Sequence, residues 1–483
     1  MATKDVVQRT LAARGQEHLL AFYPQLDPPE RAVLLDEIRS VDWDRLGRLI
    51  DSHVLREPDA RDLDAAEPPE ILPPPPGPRR YAQARKLGDQ LLAEGKVAAL
   101  TVAGGQDTRL DVEGPKGCFP CTPVTGKPLL ATFAEQILAV GRRYGRPVPW
   151  YIMTSADNDR AIRECFAEHD FFGLDAETVT FFTQGMMPAV GLDGTVLLAD
   201  KGHLALSPNG HGGVLAALVD RGALAAMASA GIEQISYFQV DNPLIQALDP
   251  LFLGLHAQAD ADMSSKAVPK QSPTERLGTF CLIDGTVAVI EYSHLPDEMA
   301  YRTGGDGRLR FADGSAGAHV LSRAFIERLH AENGCALPYH RAVKKVPHLT
   351  GDGGPITPVE PNAVKLEMFV FDALASARTA PILEISRVEE FSPIQNASGP
   401  ASLATSMADQ NRRHAEWLER AGVTVPRDAD GIVAAAVEIS PLFALDVKEL
   451  KPKVKGLTLE PGQKVYLGDG PEDWGRRFRM WTG

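Results

Sequence analysis

The stretch Val97-Ala98-Ala99-Leu100-Thr101-Val102-Ala103-Gly104-Gly105 decides the fold. Its apolar run is uncharged and too short for a buried helix, so it predicts a strand covered on both faces that the paired glycines stop in a turn. Outward from it, a helical pattern over 81–94 precedes the run. Pro128 then opens an amphipathic helix with Leu129, Phe133 and Ile137 on one face, and a second apolar run follows over 148–153. Strand, glycine loop, helix and strand form the first unit of a doubly wound α/β sheet. Further strands are expected at 179–182, 235–240, 280–283 and 287–292, with one alanine-rich helix over 212–230.

Toward the N-terminus Leu34, Leu35, Ile38 and Val41, then Leu46, Leu49 and Ile50, recur at helical spacing, with Pro24 and Pro28-Pro29 as breaks. Two or three short helices are expected there. The proline-rich segment 68–78 can neither continue a helix nor enter the middle of a sheet, so it reads as an extended, semi-rigid linker. From about 396 a helix over 408–420 and β-like pieces such as 464–467 predict a small C-terminal α+β domain. The expected division is 1–86 (N-terminal helices and linker), 87–395 (main α/β domain) and 396–483 (C-terminal domain), a size suited to a chain of 483 residues.

Fifty Lys and Arg against 64 Asp and Glu give a net charge of -14, the wrong sign for a generic nucleic-acid partner. Residues 1–20 lack the apolar core of a signal peptide, and no run is long enough to span a bilayer. A cytoplasmic chain with no membrane partner is expected. Its five cysteines are sparse and odd in number, unlike a disulfide framework, and Cys118-x-x-Cys121 has no second pair to complete a zinc site.

The chemistry concentrates after the first strand, in Gly104-Gly105-Gln106-Asp107-Thr108-Arg109-Leu110 and Gly114-Pro115-Lys116-Gly117. Glycines at a strand's carboxyl end let backbone N–H groups approach an anion, and Arg109 and Lys116 supply charge for a polyphosphate. The pattern is neither G-x-x-x-x-G-K-[ST] nor G-x-G-x-x-G, and spacing alone also allows a plain glycine turn with solvated charges.

This loop resembles the nucleotide signature of the uridylyltransferases that make UDP-sugars, closest to the eukaryotic-type UDP-N-acetylhexosamine pyrophosphorylases. Ordered matches run through Gly15-Gln16-Glu17-His18-Leu19-Leu20, Pro149-Trp150-Tyr151-Ile152-Met153-Thr154-Ser155, Phe181-Phe182-Thr183-Gln184-Gly185-Met186, Val240-Asp241-Asn242, Glu291-Tyr292-Ser293, Lys365-Leu366-Glu367-Met368 and Glu390-Phe391-Ser392-Pro393. The resemblance implies a GT-A-like, Rossmann-type central domain with a mixed, mostly parallel sheet, so that 87–395 becomes a nucleotidyltransferase domain. It implies transfer of UMP from UTP to a sugar 1-phosphate with Mg²⁺, and release of pyrophosphate.

By the same resemblance the backbone of Val102, Ala103, Gly104 and Gly105 cradles uridine, Gln184 reads the base and Gly210 lies against the uracil. Lys365 contacts phosphates, adding to the charge that Arg109 and Lys116 offer there, Asp241 binds Mg²⁺, and Glu291 and Tyr292 hold sugar hydroxyls. An amide at Gln184 suits uracil, which offers an N3–H donor beside a carbonyl acceptor. The acidic Asp260-Ala261-Asp262 is a competing D-x-D candidate for the metal.

The chain departs from the family pattern in four places. His211 stands where acetylhexosamine enzymes carry Asn and UDP-glucose or broad-range enzymes carry His. The sugar motif Gly-Asn-Ile-Ala-Asn-His is here Gly314-Ser315-Ala316-Gly317-Ala318-His319. Gln395 replaces a second phosphate lysine, and Asp107 replaces a glycine. Whole-chain similarity points to N-acetylglucosamine 1-phosphate; His211, Ser315 and Ala318 point to a relaxed or glucose-type pocket. Gln395 and Asp107 together also leave room for a uridine-nucleotide-binding protein without turnover.

Overall fold

The computed structural model describes residues 4–58, 63–75, 79–105 and 114–468. The expected contributions of Asp107 and Arg109 therefore lie outside the described residues. The chain forms two compact units, one from 1–63, 184–215 and 336–372, the other from 64–183, 216–335 and 373–483. These bounds differ from the expected 1–86, 87–395 and 396–483. The segments 184–215 and 336–372 leave the main α/β unit because their strands pair with one another, Val364 opposite Val190 and Ala363 opposite Gly191.

The larger unit is built on a ten-stranded sheet. Its strands are β1 (Ile71–Leu72), β2 (Val97–Val102), β3 (Trp150–Thr154), β4 (Val179–Thr183), β5 (Gln234–Gln239), β6 (Met263–Pro269), β7 (Thr279–Ile283), β8 (Thr286–Ile290), β9 (Asp313–Ser322) and β10 (Ile382–Glu384). The main path runs β1-β10-β6-β9-β5-β2-β3-β4, with β7 attached to β9 and to β8. Pairs β5–β2, β2–β3, β3–β4, β1–β10 and β10–β6 are parallel, while β9 is antiparallel to both β5 and β6. The expected mixed, mostly parallel sheet is present.

All six residues of β2 are buried, as a strand covered on both faces requires. Its one hydroxyl, on Thr101, accepts from Trp150 Nε1 at 2.8 Å, so the polar group it carries into the core is satisfied. The helices Arg80–Ala93 and Pro250–Gln258 meet backbone to backbone. A Cβ on Gly88 would fall 1.8 Å from Pro250 O, and one on Gly254 1.7 Å from Ala84 O.

Three local expectations change. The proline-rich segment is more than a linker: Ile71 and Leu72 pair in parallel with Ile382 and Leu383 at the sheet's edge, where flanking prolines without N–H groups are tolerated. The single helix over 212–230 is instead a 3₁₀ turn His211–Gly213 and two helices, Val214–Asp220 and Ala223–Ser229, parted by Gly222 at φ 75°. The C-terminal α+β segment belongs to the larger unit but has its own core, centred on Trp417, Leu418, Val437, Ile439 and Leu450. There the helix Leu403–Ala421 starts on a Ser402 capping box and stops at Gly422, φ 96°.

The smaller unit holds the N-terminal helices Pro28–Ser40 and Trp43–Leu49 and a three-stranded sheet. Buried Gln16 donates to Gly194 O at 3.0 Å and accepts from Val196 N at 2.9 Å, and His18 Nε2 meets Val196 O at 2.8 Å. The 15–20 motif therefore pins the N-terminus to the 184–215 segment. Among the described residues no single helix is long and apolar enough to cross a membrane.

Candidate active site

In the larger unit Val102 and Gln239 are register partners on adjacent parallel strands. Gly104 follows Val102 by two residues, and Asp241 follows Gln239 by two. The glycine loop and the aspartate thus leave the same sheet edge side by side, at the carboxyl ends where open α/β sheets take their ligands. The loop's first turn is fixed from β3. Ala103 N donates to Met153 O at 2.8 Å, and Asn158 Nδ2 donates to Ala103 O at 2.8 Å while its Oδ1 accepts from Ser155 N at 2.9 Å. Among the described residues, none comes within 4 Å of a Cβ added to Gly105, so their packing does not require glycine there.

Lys116 begins a 3₁₀ turn, Lys116–Cys118, and Gly117 sits so close to Leu130 that a Cβ would fall 2.7 Å from its Cδ1. None of the five cysteines forms a disulfide, and burial pushes the Cys121 thiol up to about 12, so this C-x-x-C holds inert thiols.

Asp241 is oriented twice from the 390–395 segment: its carbonyl accepts from Ile394 N at 2.8 Å, and its Oδ2 accepts from Gln395 Nε2 at 3.0 Å. Behind it the Asn242 side chain bridges Glu390 O at 2.7 Å and Ser392 N at 3.0 Å. Glu390 in turn pairs with the fully buried Lys266, which also meets Asp249 at 3.1 Å. Burial opposes the Lys266 charge, but the two carboxylates outweigh it and hold the ammonium above its usual range. Asp241 makes no ion pair among the described residues. A half-exposed carboxylate, oriented by a neutral amide, suits a hard cation whose other ligands come from phosphates and water. Asp262 does not compete, because its Oδ2 is taken by Arg328 at 2.7 Å and by Arg378 N at 2.8 Å.

The expected sugar residues gather at another corner of the same unit. β9 carries an irregularity opposite β6, between its pairings of His319 with Ser265 and Ser315 with Ala267. Gly317 there adopts φ 68°. Ser315 N donates to Gly278 O at 2.7 Å, and Ser315 Oγ accepts from Gly317 N at 3.3 Å. Glu291 Oε2 lies 3.6 Å from where a Cβ on Gly278 would sit, so Glu291 and Ser315 flank one glycine. Tyr292, 40% exposed, opens the 3₁₀ turn Tyr292–His294. Gln239 approaches Gly317, with its side chain 3.2 Å from a Cβ there. Neither Gln239 nor Asn158 was singled out from sequence; the strand-end position of the one and the Ser155-x-x-Asn158 spacing of the other were the available signals.

The smaller unit carries the remaining candidates. Gln184 is buried. Asn209 N donates to Gly185 O at 3.1 Å, and Met368 N donates to Asn209 O at 2.8 Å, so the glycine turn 210–213 is stitched to the strand Ala363–Met368. Gly210, at φ 87°, leaves only 2.4 Å between a Cβ and Met368 O. Lys365 and Glu367 share the less buried face of that strand, and Glu367 Cβ is 3.1 Å from a Cβ on Gly210. The face bearing Lys365 therefore adjoins the turn.

His211 stacks on Phe369 with centroids 5.3 Å apart, and its Nδ1 accepts from Val370 N at 3.2 Å. Burial, then the nearby His340, lowers it to about 4. It is thus neutral near pH 7 with its proton on Nε2, a donor rather than a cation.

A glycine loop ending a central parallel strand, with an aspartate leaving the next, defines a nucleotide-binding α/β protein. The profile described as UTP–glucose-1-phosphate uridylyltransferase matches residues 75–414, and the chain belongs to that family. It is 35% identical over 494 residues to the Homo sapiens UDP-N-acetylhexosamine pyrophosphorylase-like protein 1, covering 94% of this chain and 96% of that one. It is 33% identical over 478 residues to UDP-N-acetylglucosamine diphosphorylase 1 of Arabidopsis thaliana, covering 94% and 91%. The crystal structure of the uridine diphosphate N-acetylglucosamine pyrophosphorylase of Trypanosoma brucei superposes with a TM-score of 0.79 at 25% identity, over 97% of this chain and 98% of that one. The resemblance read from the motifs is borne out.

Proposed function

We propose that this chain is a UTP:sugar-1-phosphate uridylyltransferase that makes a UDP-sugar and pyrophosphate, with N-acetylglucosamine 1-phosphate as its main acceptor. The observation that carries this is the shared sheet edge of Gly104 and Asp241, set by the Val102–Gln239 register, in a chain of the uridylyltransferase family. The acceptor is supported by relatives named for N-acetylglucosamine or N-acetylhexosamine over most of their length.

In this reading the sugar phosphate oxygen attacks the α-phosphorus of UTP in line, and pyrophosphate leaves from the opposite side. The backbone of 102–105 holds the uridine. Arg109 and Lys116 offset charge on the phosphates, and Glu291, Tyr292 and Ser315 face the sugar. Catalysis is then positioning and electrostatics, with no side-chain nucleophile. Mg²⁺ held by Asp241 would supply further charge neutralisation at the phosphates. That none of the five cysteines forms a disulfide supports action in the cytoplasm.

A second reading, a broader or glucose-type acceptor, is favoured by Ser315. Its hydroxyl is turned into its own bulge toward Gly317 N and does not extend as a longer amide would. Pyrophosphate release from UTP and Mg²⁺, measured with a panel of sugar 1-phosphates, tests both. Turnover fastest with N-acetylglucosamine 1-phosphate is the expected result. Turnover with glucose 1-phosphate alone would select the second reading, and UTP binding without any turnover would overturn the enzyme reading.

A further inference from the structure

The segment that follows the glycine loop is held by a residue more than 300 positions away. After the Lys116–Cys118 turn the chain makes a narrow return, with Pro120 bridged to Pro128 and Cys121 N donating to Lys127 O at 2.7 Å. Glu438, on the C-terminal strand Ala436–Ile439, enters the tip of this return. Its Oε2 accepts from Val124 N at 3.0 Å and Thr125 N at 2.8 Å, and its Oε1 accepts from Thr125 Oγ1 at 2.6 Å. Lys127 Nζ lies 3.3 Å from the same carboxylate and 2.8 Å from Glu135, which also accepts from Ser440 Oγ at 2.7 Å. Gln410 Nε2 adds a bond to Cys121 O at 2.8 Å.

This clamp is buried: Lys127, Glu135 and Glu438 are each 2% exposed. Burial pushes the Glu438 carboxyl up, but Lys127 and the loop donors outweigh it and hold it below the usual range. The base of the return, at Pro120, connects to the Lys116 turn through one residue, Phe119, whose N donates to Lys116 O at 2.9 Å and whose carbonyl accepts from Leu129 N at 3.3 Å. Two charge-assisted bonds to backbone N–H groups fix the return's position more firmly than apolar packing would.

We propose that Glu438 is a positioning residue for UTP: the C-terminal segment, through the Glu438 clamp on Val124 and Thr125, sets the 114–128 return and with it Lys116. This rests on the reading that Lys116 faces the UTP phosphates. The C-terminal segment is then a working part of the nucleotide site rather than an appended module.

Three variants of the full chain test it: Glu438→Gln, Thr125→Val and Asn411→Ala. Asn411 bonds Val437 N at 2.7 Å and Ala435 O at 3.0 Å, so its loss loosens the strand before Glu438 without touching the return. Each is measured for Tm, for UTP affinity by calorimetry, and for KM of both substrates. Glu438→Gln and Thr125→Val are expected to weaken UTP binding about tenfold and severalfold, with the KM for sugar 1-phosphate unchanged, while Asn411→Ala lowers Tm only. Lowered Tm with unaltered UTP affinity in Glu438→Gln and Thr125→Val would overturn the proposal, as would an Asn411→Ala loss of UTP affinity equal to theirs. If Glu438→Gln does not fold, Thr125→Val decides, since it removes one hydroxyl at constant volume. A wild-type chain that binds UTP without turnover would fail the enzymatic reading alone, because the calorimetric comparison still stands.

Discussion

Gln395 donates from Nε2 to Oδ2 of Asp241 at 3.0 Å, across 154 residues of sequence. The carboxylate is thereby oriented by a neutral group at the position where the family pattern has a lysine. An ammonium there would attract Asp241 by about 4 kcal/mol at 4 Å and an effective dielectric of 20, before solvation is subtracted. It would compete with any cation for the same oxygen atoms. Gln395→Lys is therefore expected to weaken Mn²⁺ binding, followed by electron paramagnetic resonance without UTP, about tenfold or more. Asp241→Asn should lower kcat/KM by about two orders of magnitude or more. Unchanged Mn²⁺ affinity in both variants would remove Asp241 from the metal site.

Gly210 carries a steric prediction. Its φ of 87° and the 2.4 Å gap to Met368 O leave no room for a methyl group against backbone that cannot swing aside. Gly210→Ala should destabilise the chain by about 2–4 kcal/mol and lower both Tm and UTP affinity. Gly105→Ala, where a Cβ comes within 4 Å of no described residue, should leave Tm nearly unchanged. If it nonetheless weakens UTP binding, the space at Gly105 is there for ligand.

Acceptor choice should respond to Ser315. Restoring the longer amide with Ser315→Asn adds one hydrogen-bonding arm beside Glu291, worth about 1 kcal/mol. The ratio of kcat/KM for N-acetylglucosamine 1-phosphate over glucose 1-phosphate should then rise about fivefold. An unchanged ratio would place selectivity elsewhere, with His211 the next residue to vary.

Acid should destabilise the fold through buried neutral histidines. Burial lowers His256 to about 3 and His211 to about 4, below the unfolded value near 6.5. Between those values the unfolded chain binds protons that the folded chain refuses. Each such histidine therefore contributes stability that is complete above about pH 6.5 and declines by about 1.4 kcal/mol per pH unit toward its folded value. His256 Nδ1 meets Ser264 Oγ at 2.7 Å, and His256→Gln keeps a polar group there without the titration. Denaturant unfolding at pH 7 and pH 5 should show a shallower loss in His256→Gln than in the wild type. Equal losses would contradict the assignment.

The sequence by itself determined what depends on neighbours in the chain. The uncharged run ending at Gly104-Gly105 became β2, Pro128 stood at the start of the helix Leu129–Tyr144, and the strands near 150, 180 and 235 fell within a residue or two of their expected bounds. Apolar periodicity and local sterics act over a few residues, so they can be read without the fold. The alanine-rich helix was misjudged at Gly222 because composition hid one left-handed residue.

Only the tertiary structure decided which distant side chains share a charge or a hydrogen bond. Gln395 was visible as a departure from a motif, yet its partner Asp241 is set by how the 390–395 segment lies along the end of β5. Glu438 carried no signal in sequence, since a lone glutamate in a short strand is ordinarily a solvated one. Strand register, packing of the C-terminal core and burial place it against Val124 and Thr125, and burial is what makes a carboxylate hold those donors tightly.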